Sequence, residues 1–298
     1  MSARITDLMT SRNVLADLNR ASAQLDRTRQ QASSGKALTR PSDDPYAAAR
    51  ALKLREGLAG TRQQEANAQD AVGWQDVSEQ AFDQISQAVL QVRDLVVQGG
   101  SDSAAIGDRK AIAGAVRQLI NTVKEHGNAQ YAGRYVFAGT STTTQPFPPG
   151  DADGYAGDAG SIAREIGPGV SVQVNTPGSE VLGSGASGDL LGVLRTIVGH
   201  LESGDGTSLR GTDLSALDGR IDALSAARAV NGGRTKRIES ALTRLQQVEE
   251  TANKQLSDVE DVDFAQTMIN LNTQTAAYQA ALRAGANIVQ SSLMDFLR

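Results

Sequence analysis

Apolar residues recur at alternating intervals of three and four positions near both ends of the chain. In the first stripe these positions are Val14, Leu18, Ala21, Leu25, Thr28 and Ala32. In the second they are Met268, Leu271, Thr275, Tyr278, Leu282, Gly285 and Val289, and the stripe continues at Ser292 and Phe296. This spacing is typical of a coiled-coil seam, in which one face of a helix packs along a partner. We therefore predict a helix at each end of the chain.

Small and polar residues occupy many positions of both stripes. Such helices are marginal when isolated, because most helical stability comes from packing an apolar face. Two compatible interpretations remain open: the two ends pair within one chain, or they finish packing only against neighbouring subunits. The candidate residues of an assembly seam are Val14, Leu18, Leu25, Met268, Leu271, Tyr278, Leu282, Val289 and Phe296.

Two longer helices are predicted between the ends, from Ala47 to about Gln98 and from Leu214 to Val259. All seven prolines lie outside them, at positions 41, 45, 146, 148, 149, 168 and 177, and proline is strongly excluded from helix interiors. A helix of about 50 residues is roughly 75 Å long, which exceeds the diameter of a globular domain. The fold class predicted is mainly α, an elongated helical coiled coil or bundle formed by the N- and C-terminal segments.

A connector separates the first two helices. Gly35 stands where a helix commonly ends, and Pro45 is suited to the first turn of the next helix. Between them, Ser42 or Asp43 is the expected N-cap, and Asp44 favours the positive end of the helix. Capping explains the paired aspartates without any catalytic role.

The middle of the chain is predicted to be a small β-rich insert. Of the 30 glycines, 17 lie between positions 133 and 211. One strand is predicted over 133–139, and a hairpin joins 161–166 to 170–174 through a Gly-Pro-Gly turn. A helix is expected near 190–201. The resulting division is a terminal coiled-coil inner domain (1–40 plus 260–298), a helical rod or bundle (41–139 plus 206–259) and a surface insert (140–205).

Composition argues against most kinds of chemistry. The formal charge is −5, which disfavours a protein that grips nucleic acid. The chain has no cysteine and only two histidines, so thiol catalysis, disulfides and the common metal sites are poorly supplied. Residues 183–188 match G-x-G-x-x-G, but no strand directly precedes them. The acidic run 258–263 lacks the glycine and glutamate of a calcium loop, and we interpret it as a solvated junction between helices. We predict no enzyme, cofactor or metal.

Targeting signals leave two interpretations open. No stretch approaches the roughly 18 apolar residues of a membrane span. The N-terminus lacks the apolar core of a cleavable secretory signal. The chain is expected to be either cytoplasmic or exported by a route that reads no cleaved signal.

Several motifs together resemble the flagellin-like axial proteins of the bacterial flagellum. They are the connector motifs 33–36 and 40–45, the segment Gln64-Glu-Ala-Asn-Ala-Gln-Asp-Ala71, the helix 92–98, and Arg228-Ala-Val-Asn-Gly-Gly-Arg234 with Arg237-Ile-Glu239. They occur in the family's order. The resemblance covers about 1–145 and 205–298. It implies paired terminal helices in the inner layer of a tube, a helical bundle outside them and a variable insert facing solvent.

Within the family, two segments are more similar to hook–filament junction proteins than to filament flagellins. These are Gly133–Thr140 followed by Pro146-Phe147, and the C-terminal ending 284–298. The resemblance implies an adaptor that links the hook-side junction protein to the flagellin filament. A flagellin or minor filament subunit is the alternative, and an enzyme grafted on the insert is a third hypothesis. The implied partners are other copies of the chain, flagellin, hook-associated protein 1 and a flagellar export chaperone, without nucleic acid or membrane insertion. The implied location is extracellular, after type III export without a cleaved signal.

Overall fold

The structure is a computed structural model that describes residues 2–150, 152–186 and 188–296, with the backbone alone at 2–8, 10–11 and 287–296. The long helices are α1 (Ser2–Ser34), α2 (Pro45–Gly99), α3 (Ile106–Gly127), α5 (Leu190–Ser203), α7 (Leu214–Glu260) and α8 (Phe264–Phe296). Shorter pieces are β1 (Gln130–Tyr131), β2 (Arg134–Tyr135), β3 (Ala163–Gly167), β4 (Val170–Gln173), α4 (Gly178–Val181), α6 (Gly206–Ser208) and a π-helical turn (Leu209–Asp213). The prediction of a mainly α chain with a small sheet region in its middle is confirmed.

The chain forms two compact units. The first, the terminal unit, comprises Met1–Gly60 with Glu249–Arg298, and the second, the central unit, comprises Thr61–Val248. Within the described residues, no helix is both long enough and apolar enough to cross a membrane.

The connector between α1 and α2 ends one helix and begins the next. Gly35 has a φ of +68°, the left-handed conformation that glycine adopts without steric cost, and its N–H bonds to the carbonyl of Gln31. The N-cap of α2 is Asp44, not Ser42 or Asp43 as predicted, because its carboxylate accepts from the backbone N–H groups of Tyr46 and Ala47, each at 3.0 Å. The side chain of Asp43 bonds backward within the connector instead.

In the terminal unit, α1 and α8 run antiparallel. The Thr28 hydroxyl bonds to Gln274 Oε1 at 2.6 Å, and Lys36 forms an antiparallel β-bridge with Asp261. Nearer the other end, Gly285 lies against Val14 so closely that a Cβ at this glycine would stand 3.1 Å from Val14 Cγ1. Residues with higher numbers on α1 therefore contact residues with lower numbers on α8, as antiparallel packing requires. The predicted pairing of the two ends occurs within one chain.

The core of the central unit is built from α2, α3, α5 and α7. Its fully buried residues include Phe82, Ile85, Val92, Ile120, Leu191, Leu194, Ile197 and Leu201. The last four belong to α5, whose inner face packs on α3. Burial of each such side chain contributes about 1.5–3 kcal/mol. The part of 140–205 that forms α5 is thus core and not surface decoration.

The strands of the described residues form two small antiparallel sheets. In the second sheet, β3 and β4 form the predicted hairpin, whose turn contains Gly169 at a φ of +68°. In the first, β2 covers only Arg134–Tyr135, so the predicted strand over 133–139 is too long. Residues 136–139 do not pair in the sheet, because Phe137 is buried in the core with its ring edge-on to that of Phe82.

Candidate assembly surface of the terminal helix pair

The candidate seam residues do not all share one environment. Leu25 is buried, and Val14, Leu18, Leu271 and Tyr278 are half-buried along the contact of α1 with α8. Met268 and Leu282 are 36% and 43% exposed. The side chains of Val289 and Phe296 lie outside the described residues. The structure thus brings five of the nine candidates together and leaves two on the surface.

The side of α8 that faces α1 is displaced by one residue from the predicted stripe at two positions, where Thr267 and Ala281 take the places of Met268 and Leu282. Its buried and half-buried positions from 267 to 285 are Thr267, Leu271, Gln274, Thr275, Tyr278, Ala281 and Gly285. Apart from the adjacent pair at 274 and 275, they are spaced by three or four residues, as the prediction required. The predicted stripe contained Met268 and Leu282 in place of Thr267 and Ala281, because the larger and more apolar residue of each adjacent pair gives the stronger hydrophobic signal. The smaller residue of each pair faces α1, because a small side chain lets the two helices approach closely.

An apolar groove of about 460 Å³ follows the contact of the two helices on one flank. We call it the groove. Three polar residues, Asp17, Gln24 and Gln274, take part in its lining, and the remaining residues of the lining are small or apolar: Val14, Leu18, Ala21, Ala277, Tyr278, Ala281, Ala284 and Gly285. Short alanine side chains leave the depression unfilled. Exposed apolar surface of this kind is typical of a protein–protein contact.

A buried ion-pair cluster fixes the connector beside the start of α8. Only 6% of the Glu260 side chain is exposed, and its carboxylate lies 2.8 Å from Arg55 Nη2 and 3.6 Å from Lys36 Nζ. Lys36 also bonds to Asp261 at 2.5 Å, which raises the pKa of Lys36 and lowers the pKa of Asp261. The acidic run was predicted to be solvated. That prediction is wrong for Glu260, because an opposite charge on each side lets its carboxylate be buried.

The glycine-rich loop 183–188 holds an internal anion. One carboxylate oxygen of Asp189 accepts from the backbone N–H of Ser184 at 2.6 Å and of Ala186 at 3.1 Å. Burial opposes the charged form, but these bonds outweigh it and lower the pKa of Asp189. Such N–H groups are what a dinucleotide phosphate would need. In this structure the N–H groups of Ser184 and Ala186 bind Asp189 instead. Within the described residues, no group of three or more His, Asp or Glu side chains is arranged to hold a metal.

Two family models match the chain. The bacterial flagellin N-terminal helical region matches residues 5–142, and the C-terminal helical region matches residues 214–297. Together they span well over half of the sequence and include α1, α2, α3, α7 and α8. The chain belongs to the flagellin family.

Relatives within the flagellin family align along nearly the whole chain. Flagellar hook-associated protein 3 of Escherichia coli K12 is 25% identical, over 97% of this chain and 98% of that protein. The protein of the same name from Salmonella typhimurium is 24% identical, over 99% and 100%. Flagellin of Bacillus subtilis is 23% identical, over 99% and 100%.

Solved structures share the fold. A flagellar hook-associated protein from Vibrio parahaemolyticus superposes with a TM-score of 0.67 at 21% identity, over 74% of this chain and 100% of that one. FlgL of Xanthomonas campestris superposes with a TM-score of 0.62 at 18% identity, over 68% and 99%. The family's helical architecture is therefore the architecture of this chain.

Proposed function

We propose that the chain is the adaptor of the hook–filament junction, a structural subunit that links hook-associated protein 1 on the hook side to the flagellin filament. The observation that carries this proposal is the alignment with hook-associated protein 3 over 97–99% of the chain and essentially all of those relatives. A minor filament subunit is the second candidate, because flagellins align over nearly the same length.

The shape of the terminal unit supports a role in assembly. The two ends that the family models match are joined as one helix pair, and this pair carries an apolar groove on one flank. A subunit of a tube needs such unfilled apolar surface to contact its neighbours. In this proposal the chain acts by binding other subunits and not by catalysis, so it requires neither cofactor nor metal.

The proposal also covers the route and the partners. The chain is exported by the flagellar type III system without a cleaved signal, escorted by an export chaperone, and works outside the cell. It contacts other copies of itself, flagellin and hook-associated protein 1. The boundaries of the inner domain at 1–40 with 260–298, of the rod at 41–139 with 206–259, and of an insert at 140–205 belong to the same proposal, with α5 of the insert packed into the core of the central unit.

The experiment is deletion of the gene in its flagellated host, followed by electron microscopy and measurement of flagellin in the medium. We expect hooks without filaments and secreted flagellin, both reversed by the full-length chain. Antibody labelling should mark one band at the base of each filament. Labelling along the filament, with filaments still attached after deletion, would favour the minor filament subunit.

A further inference from the structure

We propose that neighbouring copies of this chain join through opposite flanks of the α1/α8 pair, so that Leu15 and Leu282 of one copy enter the groove of the next. This inference rests on the proposed function, which requires copies to contact each other, and it names the two surfaces that do so.

The two leucines stand one residue beyond residues that line the groove. Leu15 follows Val14, and Leu282 follows Ala281. Consecutive residues of a helix differ in direction by about 100°. Because α1 and α8 are antiparallel and face each other, one step toward the C-terminus turns both side chains toward the same flank. That flank, which we call the leucine flank, is opposite the groove.

The leucine flank is apolar and exposed. Leu15 is 59% exposed and Leu282 is 43% exposed, and Met268 and Phe264 continue the same line of α8 toward its N-terminus. On the opposite flank, Ala277 and Ala284 are exposed alanines at the edge of the groove. One side of the helix pair thus carries large apolar side chains, and the other carries a depression bordered by small ones.

The two surfaces lie at the same level along the helix pair. Gly285 is packed against Val14 and Leu18, so residues 14–18 are opposite residues 281–285. The two leucines fall within this interval, and one end of the groove lies there, from which it extends to Gln24 and Gln274. Two copies placed side by side, with little shift along their axes, would therefore set the leucine flank of one against the groove of the other.

A second copy is the occupant that fits both surfaces, because each chain presents the complement of its own groove at the matching height. The two surfaces differ, so the contact is heterologous: a copy bound through its groove still has its leucine flank free. Contacts of this type continue into rings or helical tubes, whereas a self-complementary contact stops at a dimer. The geometry therefore suits lateral growth around a tube.

Cysteine cross-linking tests this arrangement directly, because the chain has no cysteine of its own. One full-length variant carries Leu282→Cys and another carries Ala284→Cys, which lies in the groove at the same level along the helix pair. Under oxidation at high protein concentration, we expect a disulfide dimer from the mixture, little from either variant alone, and a ladder of oligomers from the double variant. Ile269→Cys, at an apolar position elsewhere on α8 that is 58% exposed, mixed with Ala284→Cys is the control and should stay monomeric.

The same two cysteine variants are also produced together in cells, and cross-linking is measured in the flagella isolated from them. This second experiment is needed if the chain associates only in assembled flagella. Cross-linking of Leu282→Cys alone as efficiently as the mixture would overturn the proposal in favour of a symmetric contact. Chains present in flagella but not cross-linked by the mixture would overturn it as well. Cross-linked oligomers from a chain that is absent from flagella would instead reject the proposed function and leave this contact standing.

A second set of variants separates the contact from the fold. Leu15→Ala in the Leu282→Cys chain, or Ala277→Leu in the groove of the Ala284→Cys chain, should lower cross-linking by about tenfold or more, since each removes the fit of one surface. Leu15 and Ala277 are both exposed, so the melting temperature should not move. A loss of cross-linking accompanied by unfolding would be attributed to the fold. Unchanged cross-linking in both variants would overturn the proposal.

Discussion

The buried carboxylate of Glu260 is held by Arg55, whose Nη2 donates to it at 2.8 Å. The two partners differ in exposure: 6% of the Glu260 side chain and 60% of the Arg55 side chain are accessible. Removing either partner therefore has a different physical cost. Loss of Glu260 leaves cations that water can solvate, whereas loss of Arg55 leaves a buried anion with Lys36 as a more distant partner.

The first prediction follows from this asymmetry. Arg55→Ala should destabilise the terminal unit by about 1–3 kcal/mol, and Glu260→Gln by less, because the amide can remain hydrogen-bonded without a buried charge. Urea unfolding measures the free energy, and hydrogen exchange at Ala37 and Val262 reports the local pairing. A larger cost for Glu260→Gln than for Arg55→Ala would contradict this account.

A second prediction concerns acid. Asp158 accepts from the Thr140 hydroxyl at 2.6 Å and from the Thr140 and Gly160 N–H groups and the Ser141 hydroxyl at 2.7–2.8 Å. These bonds, the Thr140 hydroxyl first, hold the pKa of Asp158 far below its usual value. Because its pKa is lower in the folded state, the ionised Asp158 stabilises the fold at pH values above about 3.9, the pKa of an aspartate in the unfolded chain. That stabilisation is lost as the pH falls toward the folded-state pKa.

Asp158→Asn should accordingly lower the melting temperature at pH 7, because its amide nitrogen cannot accept the hydroxyl bonds. The difference from the wild type should shrink as the pH falls below about 4, because the carboxylate of the unfolded chain then takes up a proton while the native carboxylate stays ionised. Melting curves from pH 7 to pH 2.5 provide the measurement. An equal difference at both ends of that range would show that the charge of Asp158 is irrelevant.

The third prediction concerns α5. Leu194→Ala should cost about 2–5 kcal/mol, because Leu194 is fully buried in the core of the central unit. Leu90→Ala, at a leucine that is 49% exposed, is the control and should change stability by about 0.5 kcal/mol or less. Calorimetry of both variants suffices. Equal, small effects would mean that α5 only decorates the surface.

A fourth prediction distinguishes the buried contact between α1 and α8 from the exposed leucine flank. Leu25→Asp places a charge where only 3% of the side chain is exposed, so it should unfold the α1/α8 pair. Leu282→Asp should leave the melting temperature nearly unchanged but abolish motility and release flagellin into the medium. Circular dichroism and a motility assay distinguish the two. Normal motility with Leu282→Asp would remove the leucine flank from any part in assembly.

The sequence alone predicted the helices, the hairpin and the connector, because their signals are local. Helical periodicity, the absence of proline and the glycine at position 35 act within a few residues of the structure that they determine. The prediction of Ser42 or Asp43 as the N-cap was wrong, since Asp44 can cap equally well and only the path of the connector decides among them.

Features that depend on distant partners were not predictable in this way. Whether Thr267 or Met268 faces α1 depends on how closely two helices approach, and a period of seven fits either residue. Burial of Glu260 depends on Arg55, which is 205 positions away in the chain. A signal was nevertheless present: Ala281 and Gly285 are small residues four apart, which is the pattern expected where helices approach closely.

In the loop at 183–188, the backbone N–H groups that could bind an anion are occupied by the carboxylate of Asp189, which is part of the same chain segment. Asp189 is attached to the loop that it occupies, so its effective concentration there greatly exceeds that of any phosphate in solution. Gly183, at a φ of +95°, lies so close that a Cβ would stand 2.1 Å from the Cβ of Asp189. Glycine at this position therefore preserves the loop conformation in which Asp189 occupies the backbone N–H groups of Ser184 and Ala186.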